Sequence, residues 1–159
     1  MNTTKYKNEL VGFYAQMKFT HALTLSWNSD SGVARFVSAG EARADIGKLL
    51  ARVDRRLLGT RFHKKPLDRT RAVFFLEHVG RNIHAHGMLK IKKDNLLQFH
   101  KLFQNERGGE WNNIVRSGTY KLNIITDEFV TAGYLLKEQH VNSDASTTVW
   151  WDEFIPRTD

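Results

Sequence analysis

Residues 5–17 place Tyr6, Leu10, Phe13, Tyr14 and Met17 at three- and four-residue steps, which predicts an amphipathic opening helix. From His21 to Trp27 the period shortens to two. Leu23, Leu25 and Trp27 fall on one side and Ala22, Thr24 and Ser26 on the other, as in a half-buried strand. Between Glu41 and Leu58 the helical period returns, with Ile46, Leu50, Val53 and Leu57 in one stripe and Lys48, Arg52 and Arg55 opposite it. Gly59 to Arg71 reads as a loop around Pro66. Residues 72–78 and 82–91 read as two strands joined by a turn at Gly80-Arg81. Asp94 opens a helix carrying Leu96, Phe99 and Phe103 that ends before Gly108-Gly109, and residues 117–125 form another strand. Thr126 caps a last helix with Asp127 and Glu128 in its first turn, running through Gln139, and Thr147 to Trp151 adds an edge strand. Strands and helices interspersed by short links predict an α+β fold, a central antiparallel sheet with flanking helices. No repeat, low-complexity tract or Pro/Ser-rich linker divides residues 1–159, so one domain is expected.

The chain has no cysteine, which excludes disulfides and thiolate chemistry and leaves His, Asp, Glu or carbonyls to hold any metal. No apolar run approaches the roughly 20 residues of a membrane span, and the polar start lacks a signal-peptide core. A cytoplasmic protein with no membrane partner is expected. The net charge is +7, and it is unevenly spread: residues 41–71 carry ten Lys and Arg against four Asp and Glu, whereas 127–159 carry two against seven. A nucleic acid is the natural partner of such a basic region. Lys48, Arg52 and Arg55 on the helix, and Lys64 and Lys65 in the loop, are the candidate contacts, against the plainer reading of a solvated face.

His84 and His86 are one residue apart, so on a strand both imidazoles share a face. A two-residue turn at Gly80-Arg81 sets Glu77 opposite His84 and brings a carboxylate to the two rings. Two imidazoles and a carboxylate suit a divalent cation that must still accept substrate oxygens. The same His-x-His is compatible with a purely structural role, and a one-residue slip of register would disperse the cluster. On the last helix Tyr134 and Lys137 share a face, beside an apolar stripe of Phe129, Gly133 and Leu136. Gly133 costs that helix about 1 kcal/mol relative to Ala, which close approach of another backbone or a ligand would justify.

The order of these pieces is His21-Ala22-Leu23-Thr24-Leu25-Ser26-Trp27, then Asn82-Ile83-His84-Ala85-His86-Gly87, then Ala132-Gly133-Tyr134-Leu135-Leu136-Lys137. Over residues 20–140 it resembles the three-motif pattern of HUH endonucleases, especially the single-tyrosine initiators of rolling-circle replication. The second and third motifs match well and the first loosely. The resemblance implies a ferredoxin-like (RRM-like) sheet carrying a Mg2+ or Mn2+ ion on Glu77, His84 and His86. It implies Tyr134 as nucleophile, on a helix beside the sheet, with Lys137 one turn later. The implied activity is nicking and joining of single-stranded or hairpin DNA at an origin through a 5′-phosphotyrosine. Position 130 is Val and position 138 is Glu, so no second tyrosine lies one turn from Tyr134. Glu138 is a candidate base for water at termination. Gly47-Lys48-Leu49 lacks the phosphate-loop pattern, which leaves unwinding to a host helicase or to the substrate's own folded-back shape, and synthesis to a host polymerase. Transposases and relaxases share the same motif chemistry. A histidine-triad hydrolase would need a third histidine where Met88 stands. A non-catalytic single-strand binder would stack bases on Trp27 or Phe75.

Overall fold

The computed structural model describes residues 3–29, 36–104, 109–137 and 145–156. In chain order these form α1 (Thr3–Gln16), β1 (His21–Ser26), α2 (Ala39–Leu58), β2 (Arg71–Glu77), β3 (His84–Lys90), α3 (Leu96–Leu102), β4 (Thr119–Ile124), α4 (Glu128–Leu135) and β5 (Thr148–Trp150). The strands make one antiparallel sheet in the order β4-β1-β3-β2-β5. The fold is thus α+β, as the alternation of periods predicts. No helix among the described residues is long and apolar enough to cross a membrane.

Side-chain alternation gives the sheet two unlike faces. Leu23, Leu25, Ala72, Phe74, Leu76, Ala85 and Leu89 point to one, where Ile46, Leu49, Leu50 and Val53 of α2 and Phe99 of α3 bury them. Val73, Phe75 and Met88 point to the other and meet Tyr14 of α1 and Ala132 and Leu135 of α4. Ser38 caps α2 in a reciprocal box with Glu41, so that helix starts two residues before the expected Glu41. Asp127, rather than Thr126, caps α4 by accepting from Val130 N–H. α4 ends at Leu135, and Lys137 N–H closes a turn on Tyr134 O at 3.1 Å. The expected continuation to Gln139 falls on residues outside those described.

The β2–β3 hairpin has the expected register but a different turn. Glu77 pairs with His84, yet Arg81 N–H bonds His78 O at 3.0 Å, which centres the turn on Val79-Gly80 instead of Gly80-Arg81. His78 and Gly80 both take left-handed φ, 53° and 85°. Register survives because the longer loop is centred on the same axis.

Inside the hairpin Gly87 faces Phe74, and a Cβ built on it would overlap the Phe74 ring. Both residues are buried, so the ring has nowhere to retreat. Gly87→Ala is expected to destabilise the protein by about 2 kcal/mol through overpacking. Urea unfolding measures this, and an unchanged midpoint would refute the contact.

Candidate functional site

Across the sheet face that bears α1 and α4, the register aligns Phe75, His86, Thr24 and Lys121 in one row and Glu77, His84, Ser26 and Thr119 in the next. α1 and α4 cover the β2 side of this face, while Thr119, Lys121 and Asn123 of β4 are exposed. Glu77 sits opposite His84, but its carboxylate reaches diagonally to His86, with Oε2 3.1 Å from Nε2. The other ring nitrogen of His86, Nδ1, lies 3.3 Å from Thr24 Oγ1. A carboxylate only accepts, so a neutral His86 donates from Nε2 and accepts at Nδ1 from the Thr24 hydroxyl. Were Nε2 to hold a cation instead, Nδ1 would carry the hydrogen and the same hydroxyl would accept it.

His84 is half-buried on the same face, its ring 6.2 Å from that of His78. Burial pushes His84 below the usual histidine range, aided by the imidazoles of His86 and His78 and opposed by Glu77. Its ring is thereby kept neutral with a lone pair available. As the side chains stand, Glu77 and His86 meet, and His84 is near but apart. Among the described residues no three His, Asp or Glu side chains form a cluster that would hold a metal ion. The donor chemistry of a carboxylate with two neutral imidazoles fits a divalent cation, and a turn of the His84 side chain is what their convergence requires.

A cleft of about 90 Å³ brings Glu77 and His86 together with Tyr134, Leu135 and Lys137. α4 docks through Ala132, Leu135 and Leu136, all buried, and leaves Tyr134 67% exposed. Two elements 48 residues apart, from His86 to Tyr134, thus contribute to one cleft. Gly133 differs from expectation: a Cβ there would meet nothing within 4 Å, so no close approach of the described protein accounts for it. Phe129 of the expected apolar stripe is 62% exposed. Glu138 lies outside the described residues.

The other sequence candidates are not at the cleft. Trp27 is a core residue, 2% exposed, with its indole N–H on Asp45 Oδ2 at 3.1 Å and its ring edge-on to Trp111. Alternation puts it on the Leu25 face under α2, so it offers no stacking platform. Phe75 is also buried, with Tyr14 against it. Lys48, Arg52 and Arg55 belong to α2, on the far layer of the sheet. Lys48 pairs with Asp45 at 3.0 Å and Arg52 with Glu110 at 2.7 Å. Burial raises the Glu110 carboxyl, but hydrogen bonds and charge from Arg52 and Arg56 outweigh it and hold the group below its usual range. Lys64 and Lys65 are exposed in the loop before Arg71, at the end of β2 opposite Glu77. That is about 20 Å from the cleft at strand rise.

Sequence reasoning overlooked His78, Thr24 as a partner of His86, and Lys121. The Glu77-His78 dipeptide before the turn and the polar position of Lys121 in an alternating strand were the available signals. Comparison of the chain with protein-family models, curated proteins and solved structures gave no match.

Proposed function

We propose that this chain is an HUH-type endonuclease and strand transferase acting on single-stranded or hairpin DNA, of the single-tyrosine kind that initiates rolling-circle replication. The observation that carries the reading is the shared cleft of Glu77, His86, Tyr134 and Lys137. Support also comes from the path β1-α2-β2-β3-α3-β4, in which β3 separates β1 from β2 and α2 and α3 cover one face. This order fits the split βαβ plan of a ferredoxin-like sheet, with α1, α4 and β5 as additions.

In this reading the Tyr134 oxygen attacks phosphorus and gives up its proton, the P–O bond to the 3′ oxygen breaks, that oxygen takes up a proton and leaves as a free 3′ hydroxyl, and the 5′ phosphate remains on Tyr134. Lys137 places positive charge beside the phosphate or the developing phenolate. Glu77, His86 and His84 would hold a divalent cation, Mg2+ or Mn2+, whose charge would neutralise a non-bridging phosphate oxygen. Thr24 orients His86, and α4 aims Tyr134 along the cleft. The phosphotyrosine keeps the energy of the original bond, so the same groups can rejoin strands.

The test is incubation of the protein with a randomised single-stranded DNA pool and Mn2+. A denaturation-resistant protein–DNA adduct with recurrent sequence at the junction is expected. Binding without an adduct in either Mn2+ or Mg2+ would leave a non-catalytic single-strand binder. Thr24→Val, which keeps shape and removes the hydroxyl, is expected to weaken Mn2+ binding and nicking by roughly tenfold to a hundredfold, and Thr24→Ser to restore them. Equal Mn2+ affinity in Thr24→Val would show that His86 needs no partner at Nδ1.

A further inference from the structure

A larger cavity lies away from the cleft, where α3 meets the open edge of β4. It measures about 450 Å³, within the roughly 300–1,000 Å³ of small-ligand sites. Phe103, Tyr120, Leu122 and Ile124 give it apolar and aromatic walls, and His100 and Gln104 bring polar groups to it; Asn123 borders it from the edge strand, its side chain alternating to the opposite sheet face. His21 closes the inner side, 2% exposed.

The hydrogen bonds settle where the protons are. Thr20 O–H donates to Leu89 O at 3.1 Å and its oxygen accepts from Ile91 N–H at 3.0 Å. His21 Nδ1, 2.7 Å from the same oxygen, must therefore carry a hydrogen and donate it. That leaves His21 Nε2 as an acceptor, so His100 Nε2 carries the hydrogen of the 2.8 Å contact between the rings. Burial first, and the neighbouring His100 second, push His21 down to about 4, so it contributes no charge at neutral pH. The Tyr120 hydroxyl is committed to Phe103 O at 2.6 Å. His100 Nδ1 and the amide of Gln104 have no hydrogen-bond partner among the described residues.

Among the described residues no carboxylate, Lys or Arg lines this cavity; the lining they provide suits a group that is uncharged, flat enough for aromatic walls, and able both to donate and to accept hydrogen bonds. Positive charge lies just outside: Lys101 follows His100, Lys121 lies between Tyr120 and Leu122, and both are exposed. A neutral heterocycle attached to an anion meets both conditions. Lys121 and Asn123 also share the sheet face of Thr24 and His86. From Thr24 to His21 is three residues along β1, about 10 Å, with the two side chains on opposite faces, so a strand joining cleft and cavity would round the open β4 edge beside Lys121.

We propose that this cavity is a nucleobase pocket, receiving one unstacked base of a strand whose phosphates pass Lys121 on the way to the Tyr134 cleft. This rests on the reading of the chain as a single-strand DNA enzyme, and it adds where that strand is read for sequence. The base is held by the walls of Phe103 and Tyr120 and read by His100 and Gln104.

The test is histidine-ring NMR of the full chain without metal, titrated separately with dAMP, dCMP, dGMP and dTMP, with deoxyribose 5-phosphate and inorganic phosphate as controls. At least one nucleotide is expected to shift the His21 and His100 signals saturably, and the controls are not. Gln104→Ala, at an exposed position that leaves the core intact, is expected to weaken that nucleotide by roughly fivefold. No saturable shift with any of the four, or equal shifts with deoxyribose 5-phosphate, would overturn the pocket. Covalent adduct formation is scored separately, so a failed pocket with a normal adduct is distinguishable from a failed nuclease reading.

Discussion

Tyr134→Phe is expected to abolish the covalent protein–DNA adduct, lowering it by at least roughly a thousandfold, while leaving the unfolding transition where it is. The substitution removes one oxygen from a side chain that is 67% exposed, and α4 is held by Ala132, Leu135 and Leu136 instead. The remaining tyrosines are poor substitutes. Burial, and secondarily the charge of Tyr6, pushes the Tyr14 phenol up to about 12, and its ring is packed between Phe75 and Trp150. The Tyr120 hydroxyl is bonded to Phe103 O and is also raised by burial. Tyr6 is exposed on α1 and does not line the cleft. An adduct of normal yield in Tyr134→Phe, seen on a denaturing gel, would remove Tyr134 as the nucleophile.

Acidification from pH 7.5 to pH 4.5 is expected to cost the fold much of about 3 kcal/mol through His21 alone. The ring is ordinarily half-protonated near 6.5 and in the folded protein only near about 4. Between those values the unfolded chain binds the proton and the folded chain does not, so stability is complete above pH 6.5 and falls as pH descends toward 4. The full separation, at about 1.4 kcal/mol per unit, gives the figure. His84 is lowered too and acts in the same sense. Glu110, held below the usual carboxylate range by Arg52 and Arg56, loses its contribution in a more acidic window as pH falls through its folded value. Urea midpoints across this range measure the slope, and His21→Gln should flatten it between 6.5 and 4. A wild type equally stable at pH 7.5 and 4.5 would refute the burial of an uncharged ring.

How much of this was legible in the sequence depended on whether a signal was local. The alternation in 21–27 and the pairing of Glu77 with His84 follow from period and symmetry, and both hold in the structure. Trp27 was misjudged because a large aromatic residue looks alike in the core and on a platform. Only the layer opposite β1 decides, and α2 with Asp45 occupies it. Arg52 likewise reads as a free cation until Glu110, 58 residues later, is found beside it. The cavity at His21 and His100 joins residues 79 apart in the chain, and no spacing rule connects them. Lys121 went unnoticed because one lysine in a strand attracts less attention than ten cations in a loop and helix.

Gly87 contributes no side chain to any chemistry, yet it decides which chemistry the sheet presents. It is the one notch in β3, and Phe74 is the knob that fits it. If β2 slid by a single residue, the ring would meet His86 or Met88, and in the slipped sheet Glu77 would lie on the face opposite the two imidazoles. The hairpin loop can therefore change in length and composition while this one fit holds the carboxylate and imidazoles in phase. A residue with nothing to donate keys the alignment of those that do.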